Sequence, residues 1–237
     1  TKFKLAEDAT VTRNAGFTLG GLKFENNTFT LGSATTDLTV DLTSASGTVS
    51  NSGTIATQTA DFTVLGALTF NAGNTVSSTG GKLSFAEGIT ITGAAINLQD
   101  TTLAVGSSLT KTGGTLTLDQ ANLQLTSDLT LSSDVGVAFT QLNLENNHLD
   151  LQAVPSFTVT QELVLDNVNE KLTWSENTEL ILTGGVQLDA NGRLDWKNPD
   201  NLNIGDITLN GGSLTIGDTS AQAFEIGSDI VLQADSA

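Results

Sequence analysis

Residues 142–151 read LNLENNHLDL, with leucine at every second position on either side of a polar corner. Related phrases recur: LKFENNTFTL at 22–31, LTLDQANLQL at 116–125, VQLDANGRLDW at 186–196 and ITLNGGSLTI at 207–216. A period of two makes each half a short strand with one face in and one face out. Asn, Asp and Gly at the corners tolerate the positive φ of a sharp bend. A phrase rewritten this often belongs to a repeat architecture.

A second motif, apolar–Thr–apolar, fixes the period. It reads FTL at 17–19, LTV at 38–40, FTV at 62–64, ITI at 89–91, LTK at 109–111, LTL at 129–131 and FTV at 157–159, then LIL at 180–182, LNI at 202–204 and IVL at 230–232. Successive intervals are 21, 24, 27, 20, 20, 28, 23, 22 and 28 residues, with a mean of about 24. That is the length of a solenoid coil. No stretch holds a 3.6-residue period. The expected fold is all-β: a single-stranded parallel β-helix of about ten coils, three short strands per coil, right-handed, with residues 1–237 as one continuous domain.

Stacking predicts one internal ladder of Phe17, Leu38, Phe62, Ile89, Leu109, Leu129, Phe157, Leu180, Leu202 and Ile230. Lys111 breaks the apolar rule, so its strand is expected to end early and release the ammonium to water. The three long intervals contain LSFAEG, VAFTQ and QAFEIG, read as a widened coil or an added corner strand where a lateral ligand site could form.

Composition narrows the partners. Nine basic residues against 26 acidic ones give a formal charge of −17, which repels nucleic acid and anionic membrane. The absence of Cys removes disulfides and thiolate metal sites. No apolar run is long enough for a transmembrane helix. The chain starts at Thr1 without an initiator Met or a signal peptide, the expected look of a processed protein or a piece of a longer one.

Candidate chemistry is sparse. The outward threonines Thr18, Thr39, Thr63, Thr90, Thr110, Thr130 and Thr158 form the expected surface ladder; such a rank could order water and bind ice, although Thr is also simply a good strand residue. The corner acids Glu25, Asp119, Glu145, Asp166 and Asp189 are the calcium candidates, since stacked carboxylates repel and Ca²⁺ relieves that. A solvated edge bonding its own turns is the plainer account. His148 reads as a surface histidine. Trp174 and Trp196 end the equivalent strands LTW and LDW, and are expected to stack in a core corner. No nucleophile elbow and no cluster of acids with basic residues is present, so no catalytic residue and no cofactor is assigned and the chain is read as a non-enzyme.

Phrases such as GGSLTIGDTS, GGTLTLDQANLQL and GGKLSFAEGITITG resemble the degenerate repeats of bacterial surface β-solenoids, the autotransporter passengers and filamentous-haemagglutinin-type adhesins. The resemblance covers nearly the whole chain through repeat style. It implies a secreted or cell-surface protein with a structural or adhesive role. Neither terminus shows a capping helix, so the expected partners are copies of the same chain stacked end to end, with a surface polysaccharide or a receptor on another cell. The alternative is a β-helical protein that binds or cleaves polysaccharide.

Overall fold

The computed structural model describes residues 3–4, 7–11, 17–19, 22–23, 27–31, 38–41, 53–175, 177–189, 191–196, 202–210, 213–216 and 230–232. Among these every regular element is a β-strand, and the strand pairs are parallel. Strand partners from Gly53 onward lie 20–23 residues apart in sequence, one coil of a β-solenoid per step. The chain divides into two compact units, Thr1–Leu123 and Gln124–Ala237.

In the first unit one face stacks six strands: Ala9–Val11, Thr28–Leu31, Gly53–Gln58, Asn74–Ser78, Ala95–Gln99 and Thr115–Asp119. A second face stacks Phe17–Leu19, Leu38–Asp41, Phe62–Leu65 and Lys82–Phe85, then the first part of Thr102–Thr112. A third stacks Leu68–Asn71, Ile89–Thr92 and the last part of Thr102–Thr112. The second unit repeats the plan. Val137–Phe139, Ser156–Val159, Glu179–Leu182 and Leu202–Ile204 form one face. Leu163–Leu165, Val186–Asp189, Ile207–Asn210 and Ile230–Leu232 form another. The third carries residues 129–132, His148–Ala153 and Lys171–Trp174; Arg193–Trp196 pairs with Ser213–Ile216.

Alternation sends every second side chain inward, so apolar residues pile up along each coil axis. Phe62, Val64, Leu83, Phe85, Leu149, Leu151, Phe157 and Leu180 are all buried. Phe85 meets Phe62 and Phe70 edge-on, at centroid distances of 6.4 and 6.2 Å. Phe139 and Phe157 pack 6.0 Å apart in the second unit. A coil has no core of its own; its inner residues are dry only because neighbours cover them.

Three sequence expectations are corrected. The ladder of ten is not one ladder. Phe62 pairs with Leu83, not Ile89; Leu129 pairs with Leu149, not Phe157; Ile230 pairs with Ile207, not Leu202. These breaks fall at the three long intervals. The apolar–Thr–apolar motif looks alike on all three faces, and at those points the spacing passes from one face to the next. LSFAEG and VAFTQ are therefore not insertions: Leu83 and Phe85 sit on Phe62 and Val64, while Val137 and Phe139 sit under Phe157 and Val159. QAFEIG lies outside the described residues. The second correction concerns number. About seven turns can be followed through the described residues rather than ten, because the outermost anchor strands are separated by residues outside the description. The third concerns Lys111. Its strand continues to Thr112, Lys111 pairs with Ile91, and its side chain is 1% exposed. It sits among the inward residues instead of reaching water.

Corners are fixed by left-handed residues and by side-chain caps. Gln58, Asp100 and Gln120 take positive φ at the corner after the six-stranded face. Behind them Thr57, Ser78 and Thr101 are buried; Ser78 Oγ donates to the carbonyl of Gly80 at 2.6 Å, with that of Gln58 at 3.1 Å, and Thr101 Oγ1 donates to that of Gln99. At Gly114 φ is +69°, and a Cβ would overlap the carbonyl oxygen of Ala94 in the coil below. Gly114→Ala combines a left-handed penalty of about 1–2 kcal/mol with a backbone collision. A loss of at least ~2 kcal/mol is expected, read as a drop in Tm of roughly 4–8 °C. An unchanged Tm would mean that the coil spacing there is slack.

Candidate functional site

Backbone N–H groups at strand starts need an acceptor in the neighbouring coil. Among the described residues a carboxylate supplies it at three places. Asp8 Oδ1 accepts from Thr28 N at 2.7 Å, Asp61 Oδ1 from Lys82 N at 2.7 Å, and Asp128 Oδ1 from His148 N at 2.9 Å. Glu170 does more. Its side chain is 6% exposed, Oε1 accepts from Asn146 N at 3.1 Å, and Oε2 accepts from Asp166 N at 2.9 Å and Asn167 N at 3.3 Å. These acids staple one coil to the next or close a corner. Sequence spacing did not reveal them, although an acid 20 or 21 residues before a strand start is a readable signal in retrospect.

Of the calcium candidates, Glu25 lies outside the described residues. Asp119 closes a strand of the first unit and pairs with Gln99. Glu145, Asp166 and Asp189 belong to the second unit. Glu145 Oε1 accepts from Gln124 Nε2 at 2.8 Å and Asn143 Nδ2 at 2.9 Å, and the Asp189 carboxylate accepts from Gln187 Nε2 at 3.0 and 3.1 Å. Asp189 is in register with Asn210 on one side; on the other, it follows Leu188 as Asp166 follows the paired Leu165. Among the described residues no group of three or more His, Asp or Glu side chains converges as a metal would need.

The threonine rank divides into short runs. Thr18, Thr39 and Thr63 are stacked, and Ser84 follows. Thr90 and Thr110 stack on a different face, above Thr69. Thr130 lies beside Asp150. Thr158 lies between Ala138 and Ile181.

A further polar arrangement, which the sequence did not announce, is built on His148. In His148–Ala153 and Lys171–Trp174, Leu149, Leu151 and Leu172 point inward at 0, 0 and 2% exposure. Alternation therefore turns His148, Asp150, Lys171 and Thr173 outward on one face. Register sets His148 beside Lys171 and Asp150 beside Thr173. Thr173 Oγ1 donates to Asp150 Oδ1 at 2.8 Å, and Gln152 Nε2 donates to Asp150 Oδ2 at 2.8 Å. His148 Nε2 lies 2.9 Å from Thr173 Oγ1. The hydroxyl proton is committed to the carboxylate, so this contact requires the proton on Nε2. That tautomer leaves Nδ1 of a neutral imidazole as an acceptor. The donor order is the reverse of a nucleophile–histidine–carboxylate relay, in which the hydroxyl gives its proton to the ring. Here the threonine and aspartate orient the imidazole.

Lys171 is exposed, and no described residue engages its ammonium. Trp174 ends the same strand, half-buried, opposite Leu151. Its Nε1–H is buried without an acceptor, alone in this among the buried side-chain polar atoms of the described residues. The expected partner Trp196 ends the strand Arg193–Trp196, and its side chain lies outside the description.

No family model matches the chain, and neither a curated protein nor a solved structure matches it.

Proposed function

We propose that this chain is a structural or adhesive rod of a bacterial surface or matrix fibre, extended by end-to-end stacking of β-strands. The observation that supports it most directly is the parallel pairing of coil on coil within each unit, broken only locally by register shifts at Ser77/Ser78 and Leu131/Ser132 among the described strands. Each coil offers the next a full row of backbone donors and acceptors, and a second copy presenting the same row could continue it. Such a contact is heterologous and does not close, so it builds a filament. Corner acids spent on N–H groups and outward positions filled with Thr, Ser, Asn and Gln suit a rod whose role is reach and contact. The repeat style shared with adhesin solenoids agrees with a cell-surface location.

Negative-stain electron microscopy of the purified chain across a concentration series tests this. Filaments of uniform width that lengthen with concentration are expected. Separate short particles at every concentration would overturn the assembly. The second reading, a protein that recognises polysaccharide on its lateral surface, is favoured by the polar patch around His148.

A further inference from the structure

The His148 patch carries chemistry that a rod does not need. We propose that His148 and Lys171, backed by Thr173 and Asp150, bind a neutral polysaccharide through a vicinal diol of one sugar ring. The proposal deepens the adhesive side of the reading above and does not depend on filament assembly.

Two neighbouring sugar hydroxyls ask for one acceptor and one donor close together. Adjacent rungs of a parallel ladder place His148 and Lys171 about 4.8 Å apart. The Thr173 contact holds the proton on Nε2, so Nδ1 is left to accept from one hydroxyl. The Lys171 ammonium, exposed and engaged by no described residue, donates to the other. Asp150, bonded to both Thr173 and Gln152, keeps the imidazole from swinging and spares binding part of its ordering cost.

Trp174 ends the same strand as Lys171, in register with the inward Leu151, so alternation turns its indole away from the outward patch and leaves it out of the site. Global charge decides between neutral and acidic glycans. At −17 the chain repels a polyanion, and a lone lysine does not reverse that.

The test is native gel electrophoresis of the whole chain through gels containing dextran, soluble β-1,3-glucan, mannan or the acidic polymer alginate, with mobility referred to a gel without polysaccharide. Retardation is expected in at least one neutral gel. Lys171→Gln and His148→Ala should each weaken it on the order of tenfold, the worth of one hydrogen bond. Lys82→Gln, which removes a cation from the first unit, should bind as the parent does. Lys171 is exposed, so its variant keeps the fold; melting curves of both variants check this. No retardation in any neutral gel, retardation by alginate alone, or a Lys171→Gln variant that binds like Lys82→Gln would each overturn the proposal. Filaments without retardation would remove this site and leave the rod standing.

Discussion

Phe85→Ala is expected to destabilise the first unit by about 3–5 kcal/mol, the range for truncating a buried phenylalanine. Phe85 is 1% exposed and lies between Phe62 on its own face and Phe70 on the next. The coil axis beside it already holds a void of about 10 Å³, lined by Phe70, Leu83, Ile89 and Leu103 among others. That void is wholly apolar and no larger than one water. Removing the ring enlarges it, and stacked strands fixed by backbone bonds above and below have little freedom to collapse into the gap. The backbone ladder that specifies the fold thus makes the core unforgiving. A urea titration read by far-ultraviolet circular dichroism would show the midpoint fall. Thr69→Ala, on an outward position of the neighbouring face, should stay within about 0.5 kcal/mol of the parent. If the two variants shifted alike, Phe85 would not be packed as described.

Glu170→Ala is expected to cost about 3 kcal/mol or more. The carboxylate is nearly buried and accepts three backbone N–H groups, one from the corner of the preceding coil and two from its own. Removal strands those donors, each at a desolvation cost of about 1–3 kcal/mol unless water reaches it. The informative comparison is Glu170→Gln. An amide keeps one acceptor oxygen and turns an NH₂ group toward N–H donors, so it should recover less than half of the loss. Full recovery by glutamine, measured as the midpoint of thermal or urea unfolding, would show that solvent serves this corner.

Each apolar–Thr–apolar anchor is a strand triplet, yet triplets that read as one series lie on different faces. Apolar–Thr–apolar means only that one side is wet and the other dry, which is true of all three faces. Phe62 stacks on Leu83, in a triplet with Ser at its centre, while the better match to the motif stands six residues later on the next face. Lys111 shows the opposite limit. Its residue type argued for water, and its inward register prevailed. The acids were legible as corner residues. Whether they would face one another or an N–H group depended on which residue stood 20 to 24 positions away in the coil stacked on theirs.

The sequence by itself determined the parallel solenoid, its period, the outward and inward sets within each strand, and the want of charge for a polyanionic partner. Those properties are local: alternation, turn residues and composition act within a few positions. Tertiary structure alone decided which coil lies on which. It therefore also decided that His148 stands beside Lys171 and shares Thr173 with Asp150, 23 to 25 residues apart in sequence. A patch of that kind exists only when register is exact to one residue, because a slip of one would turn each of these side chains into the core.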